Sequence, residues 1–149
     1  NTLMEDLPGQ QGPMATWPEV AVVSGAREAL ALLSQQAPCH IATNAEASDE
    51  NAIRQALQRG GLDTYISEIF CYRRIGLSKP DARFFHTVAA SLATPANRMV
   101  MIGDSLANDV MGARAAGMDA IWLNRHGGKA PSGITMITRL EELPALLLS

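Results

Sequence analysis

A chain of 149 residues, 47% of them apolar, is long enough to bury one domain's core without covalent staples, and its two cysteines exclude a disulfide framework by number. Twelve Lys and Arg against 15 Asp and Glu leave a net charge of −3, which excludes a binder of nucleic-acid backbones built on clustered positive charge. No apolar run reaches the length of a membrane span and the first residues do not read as a signal peptide, so the composition is that of a cytoplasmic globular domain with Cys39 and Cys71 as buried, reduced thiols.

Residues 1–18 are rich in turn formers and read as a loop or short hairpin, bent at Pro8-Gly9-Gln10-Gln11-Gly12. Ser24 is placed to cap a helix whose apolar face carries Ala26, Leu30 and Leu33. Cys39-His40-Ile41-Ala42-Thr43 reads as a buried strand. Ser48 opens a second helix through Ile53 and Leu57, stopped by Gly60-Gly61. Ile69–Tyr72 is strand-like. A helix follows Pro80, with Phe84, Phe85, Val88 and Leu92 at helical spacing. Met99–Ile102 is the most apolar strand, breaking at Gly103 into a helix from about Ala107 to Ala116 that Gly117 closes. Ala120–Leu123 and Ile134–Ile137 are further strands, and Leu140–Leu148 is a closing helix interrupted by Pro144.

Strands alternating with helices predict an α/β fold, a Rossmann-like, doubly wound parallel sheet with helices on both faces. Ligands in such folds sit beyond the carboxyl ends of the strands. Three of those ends carry polar residues. After Ile102 comes Gly103-Asp104-Ser105-Leu106-Ala107-Asn108-Asp109, whose two carboxylates are hard donors suited to Mg²⁺ but are equally placed to cap a helix. After Ala42 comes Thr43-Asn44, a hydroxyl and backbone N–H groups able to hold a phosphate oxygen or simply to turn the chain. Lys79 precedes Pro80, where its ammonium can neutralise a phosphoryl group or sit solvated at the surface.

In this order, Thr43, Lys79-Pro80 and Gly103-Asp104…Asp109 resemble the second, third and fourth motifs of the haloacid dehalogenase superfamily, most of whose members are Mg²⁺-dependent phosphohydrolases. The resemblance extends over Thr43-Asn44-Ala45, Lys79-Pro80-Asp81…Phe85 and Gly112-Ala113…Ala116-Gly117-Met118, from about Ser24 to Leu123. It implies that Asp104, with Asp109 directly or through water, holds Mg²⁺. It further implies that Thr43 and Asn44 bind the phosphoryl oxygens and that Lys79 offsets accumulating negative charge. The partner it implies is a phosphorylated substrate, with neither nucleic acid nor membrane involved.

The family's first motif, Asp-x-Asp-x-Thr, is absent from these residues, yet the chain begins Asn1-Thr2-Leu3, which resembles the continuation Asp-x-Asp-Asn-Thr-Leu. On that match Thr2 is the motif's threonine. The nucleophilic Asp lies three residues before Asn1 and the acid/base Asp immediately before it. The segment in question is a central strand, without which two neighbouring strands keep open edges. The alternative is a chance tripeptide in a degenerate relative, a binding module of the same fold without catalysis. Neither the stretch after Leu3 nor that between Thr43 and Lys79 has room for a large cap domain. Residues 1–149 therefore read as one core domain with a small flap over Met4–Pro18, leaving an open site that suits a bulky substrate or a lid lent by a second subunit.

Other readings fit less well. Gly103-Asp104-Ser105-Leu106 spells the nucleophile block of GDSL esterases, but it lies two-thirds along the chain and no Asp-x-x-His accompanies it. The order of Thr and Lys is wrong for a phosphoacceptor receiver domain, and no glycine-rich turn marks a dinucleotide site. A dehalogenase is the alternative within the superfamily. Trp17 and His126 are candidates for the rim of the site, and Arg73-Arg74 for contact with an anionic substrate.

Overall fold

A computed structural model describes residues 1–7 and 9–148, so Pro8 of the expected bend lies outside the described residues. The chain divides into two units. One contains Asn1, Leu3–Gly76 and the residues from Leu140 onward; the other contains Thr2 and Leu77–Arg139.

In the first unit, strands β1 (Cys39–Ala42) and β2 (Ile66–Phe70) pair in parallel, with Ile41 opposite Ile69 and Ala42 opposite Phe70. Helices α1 (Ala26–Leu33), α2 (Glu50–Arg59), α3 (Tyr72–Ile75) and α6 (Leu143–Leu147) accompany them. Leu30, Leu57, Leu62, Ile66, Ile69 and Met4 close one apolar core. β2 begins three residues earlier than the apolar run suggests because Ser67 faces outward between buried Ile66 and Ile69, an alternation easily read as loop.

The helix starts differ from expectation in an instructive way. Gly25, not Ser24, occupies the N-cap of α1, at φ +82°. A Cβ there would lie 1.7 Å from Oε1 of Glu141, so both the backbone angle and the neighbouring carboxylate demand glycine. Asp49, not Ser48, caps α2, its carboxylate accepting the Ala52 N–H at 2.8 Å. Pro144 sits in the first turn of α6, where the missing N–H costs nothing, rather than interrupting a longer helix.

Residues before α1 are tied down at two places. Met4 bridges Val22 in antiparallel fashion, with the Glu5 N–H donating to Ala21 O and the Val23 N–H to Leu3 O, each at 2.8 Å. Farther on, a 3₁₀ turn spans Met14–Thr16. Arg59 at the end of α2 donates to the carbonyls of Ala15 and Pro18, each at 3.1 Å, and to that of Trp17. Trp17 is buried and its indole N–H donates to Gln11 O and Gly12 O, so it packs rather than lining a rim. Arg74 is likewise structural. It lies 4.4 Å over the Phe70 ring, donates to Ile69 O and pairs with Glu50 and Glu68. We expect Arg59→Ala to release residues 9–18 while costing only about 1 kcal/mol of global stability, since the side chain is exposed. Amide exchange read residue by residue should quicken across that segment alone; unchanged exchange there would mean Arg59 is not the tether.

The second unit holds α4 (Ala82–Ser91) and a three-stranded parallel sheet ordered β3 (Val100–Gly103), β4 (Asp119–Leu123), β5 (Thr135–Ile137). The expected parallel α/β architecture is present, with its strands in two sheets rather than one. Among the described residues β1 pairs only with β2 and β3 only with β4. Every β1 residue is half-buried, and Val100 of β3 is 38% exposed. Where a single α-helix was expected after Gly103, a π-helical turn (Leu106–Met111) runs into a short α5 (Gly112–Ala115). Gly117 follows in the left-handed region, as a helix stop should. No described helix is long and apolar enough to cross a membrane.

Candidate functional site

β3 delivers Gly103 and Asp104 to the carboxyl edge of its sheet, and its register with β4 sets Gly103 opposite Trp122. The Trp122 indole N–H donates to the Asp104 carbonyl at 3.1 Å, fixing the backbone from which the exposed Asp104 carboxylate projects.

The π turn explains the placement of Asp109. Its wide first turn carries the Asp109 N–H to Ser105 O at 2.9 Å and the Val110 N–H to the same oxygen at 3.3 Å. Such single turns are frequent at functional sites because they re-aim a side chain. Here Asp109 turns back under the loop, where Oδ2 accepts the Ser105 N–H at 3.1 Å and Oδ1 meets Lys79 Nζ at 2.5 Å. Both side chains are buried, 9% exposed for Lys79 and 5% for Asp109. Gly103 makes room: a Cβ there would fall 2.3 Å from Cγ of Asp109. Ser105 completes the turn, its hydroxyl accepting the Asn108 N–H at 3.1 Å.

Lys79 reaches this place from the loop before α4. The Lys79–Pro80 peptide is cis, and Asp81 rather than Pro80 begins the helix, accepting the Arg83 N–H at 2.9 Å. Gly112 lets the turn pack directly on that loop, since a Cβ there would lie 2.9 Å from Pro80 Cα.

The second unit therefore brings together Lys79 and Asp109, beside the loop that carries Asp104, and it also contains Thr2. Thr43 and Asn44 follow β1 in the first unit, where the Thr43 hydroxyl accepts the Ala45 N–H at 3.2 Å in a tight turn. The engagement of Asp109 with Lys79 and Ser105 was not visible from spacing. Expected to hold a metal directly or through water, Asp109 grips an ammonium here, and its carboxylate keeps further acceptor positions. Trp122 and Ser105 also escaped sequence reasoning; only the strand register exposes the first and only the π turn the second.

The donor set bears on which metal these residues suit. Among the described residues no three His, Cys, Asp or Glu side chains come together as a cage for a metal ion. One exposed carboxylate at a strand end fits Mg²⁺, which takes one or two carboxylates and completes its shell with water and phosphate oxygens.

Residues 11–123 match the family model described as haloacid dehalogenase-like hydrolase. The chain is 31% identical over 102 residues to the pyrimidine 5′-nucleotidase YjjG of Escherichia coli K12, covering 65% of this chain and 45% of that protein. It is 32% identical over 106 residues to the pyrimidine 5′-nucleotidase PynA of Streptococcus pneumoniae, covering 70% and 44%. It thus spans less than half the length of these relatives. Among solved structures, HAD-hydrolase YfnB from Bacillus subtilis bound to magnesium superposes with a TM-score of 0.76 at 29% identity, covering 87% of this chain and 56% of that one. An uncharacterized protein from Listeria monocytogenes serotype 4b gives a TM-score of 0.85 at 27% identity, covering 99% and 92%.

Proposed function

Because this chain belongs to the haloacid dehalogenase-like hydrolases, we propose that the intact protein is a cytoplasmic, magnesium-dependent hydrolase of phosphoric monoesters. The observation that carries the proposal is the buried Lys79 ammonium held by Asp109 beside the loop that presents Asp104. A fixed cation at a strand end is suited to stabilise charge on a transferring phosphoryl group, and being already held it needs no reorganisation when that charge develops. Several similar proteins bear nucleotidase or phosphatase names, among them the two pyrimidine 5′-nucleotidases and the phosphoserine phosphatase of Thermus thermophilus.

In this reading Asp104 holds the magnesium ion. When bound, that ion supplies Lewis-acid polarisation of a phosphoryl oxygen. Trp122 steadies Asp104 through its carbonyl, and Asp109 is a positioning residue that acts through Lys79. The family resemblance assigns Thr43 and Asn44 to phosphoryl oxygens, and that assignment rests on the motif. It also makes Thr2 the threonine of an Asp-x-Asp-x-Thr whose carboxylates belong to the intact polypeptide. The first attacks phosphorus as the ester P–O bond breaks, and the second gives its proton to the leaving oxygen. Water then displaces the carboxylate from phosphorus, releasing inorganic phosphate.

The test is phosphate release from a panel of phosphomonoesters by the intact polypeptide. Release should occur with Mg²⁺, stop on chelation and return when Mg²⁺ is restored. No release, release indifferent to chelation, or halide release from 2-haloacids in its place would overturn the proposal.

A further inference from the structure

β3 and β4 leave their sheet side by side, so the loop after β4 emerges next to the loop carrying Asp104. This second loop is firmly built. The Asn124 side chain donates to Gly127 O at 2.6 Å and accepts the His126 N–H at 3.3 Å, while the Gly127 N–H returns to Asn124 O at 3.1 Å. Gly127 and Gly128 both take left-handed angles that close the turn. Arg125 and His126 stand exposed on it. Between Asp119 and Glu141 the sequence has no acidic residue but carries Arg125, Lys129 and Arg139, a cationic stretch in a chain whose net charge is −3.

We propose that Arg125, with His126 beside it, binds a second oxyanion on the leaving-group side of the substrate, and so selects phosphate monoesters whose alcohol carries a carboxylate or a second phosphate. The inference rests on the phosphatase reading and narrows its substrate class. Lys79 and the Asp104 metal site serve the phosphoryl group that is transferred. A second anion needs its own cation, and a guanidinium offers two parallel N–H donors that match either oxyanion. The adjacent strand exits bring the loop of Arg125 out beside the loop of Asp104, the right neighbourhood for a group attached to the departing oxygen.

Glycerol 3-phosphate, 3-phosphoglycerate and glycerol 1,3-bisphosphate share a three-carbon skeleton with a 2-hydroxyl and differ in the second group: neutral, carboxylate or phosphate. The intact wild-type protein should favour at least one of the anionic pair over glycerol 3-phosphate by about tenfold or more in kcat/KM, as expected for a charge-assisted contact. Arg125→Ala should collapse that ratio to within about threefold, mainly through KM, as loss of binding uniform to ground and transition states does. Arg125→Glu should invert it. Rising salt should erode the wild-type preference without any substitution. Equal wild-type rates on all three, or a fall in Arg125→Ala that is the same for all three, would overturn the inference and leave the phosphatase reading standing. Hydrolysis of none of these or any other phosphomonoester would sink both.

Discussion

Lys79→Met is expected to destabilise the protein by about 3–5 kcal/mol, the cost of leaving one partner of a buried ion pair alone. The ammonium and the Asp109 carboxylate meet at 2.5 Å with 9% and 5% of their side chains exposed, so solvent does little to screen either. Without Lys79 the Asp109 charge keeps only the Ser105 N–H. It must then take up a proton or pull the π turn toward water. Methionine matches the lysine stem, so little packing is lost and the effect reports charge. Adding Asp109→Asn removes the orphaned charge while keeping an acceptor for Ser105, and the double variant should regain at least half of the loss. Urea unfolding measures both: the midpoint should fall sharply in Lys79→Met and recover in the double variant at unchanged slope. A loss below about 1 kcal/mol would place this pair among ordinary solvated ones.

Asp104→Asn is expected to lower magnesium-dependent phosphate release by the intact protein by about 10²-fold or more, because a metal's charge stabilisation is worth several kcal/mol and each 1.4 kcal/mol is tenfold. Asparagine keeps the shape and the backbone, including the carbonyl that Trp122 holds, and removes only the negative charge. Stability should change little, since this side chain is exposed. The two substitutions thus separate along different axes: Lys79→Met is read in unfolding as well as turnover, Asp104→Asn in turnover and magnesium requirement. If Asp104→Asn instead kept full activity at low magnesium, the metal would have to be held elsewhere.

The contrast between these residues shows what the sequence made legible. Strands such as Val100–Gly103 and Asp119–Leu123 announce themselves as apolar runs ending in glycine or polar residues, so the carboxyl edge that carries Asp104 could be located from pattern alone. Motif order then named Lys79, Asp104, Asp109 and Thr43. The job of Asp109 was hidden for two physical reasons. Lys79 lies 30 residues away, and local spacing says nothing about pairs so distant. A π turn and an α turn also have nearly the same composition, so the residue that re-aims Asp109 leaves no mark in the pattern. The caps at Gly25 and Asp49 were displaced by one residue from Ser24 and Ser48 because several good capping residues stand side by side at each start. The four-residue α3 is too short for any periodicity to reveal, and its Arg74 is recruited by Phe70, Glu50 and Glu68, groups brought together only by folding.

In the proposed mechanism a divalent ion and a phosphoryl group meet at the loop following β3. Manganese in place of magnesium makes that location directly visible, because its unpaired electrons broaden nearby amide resonances. Added in substoichiometric amounts to the ¹⁵N-labelled intact protein, it should erase the signals of Gly103 to Ala107 before any others, and excess magnesium should restore them. Loss that begins elsewhere, at the acidic turn around Glu141 and Glu142 for example, or that ignores added magnesium, would contradict the assignment.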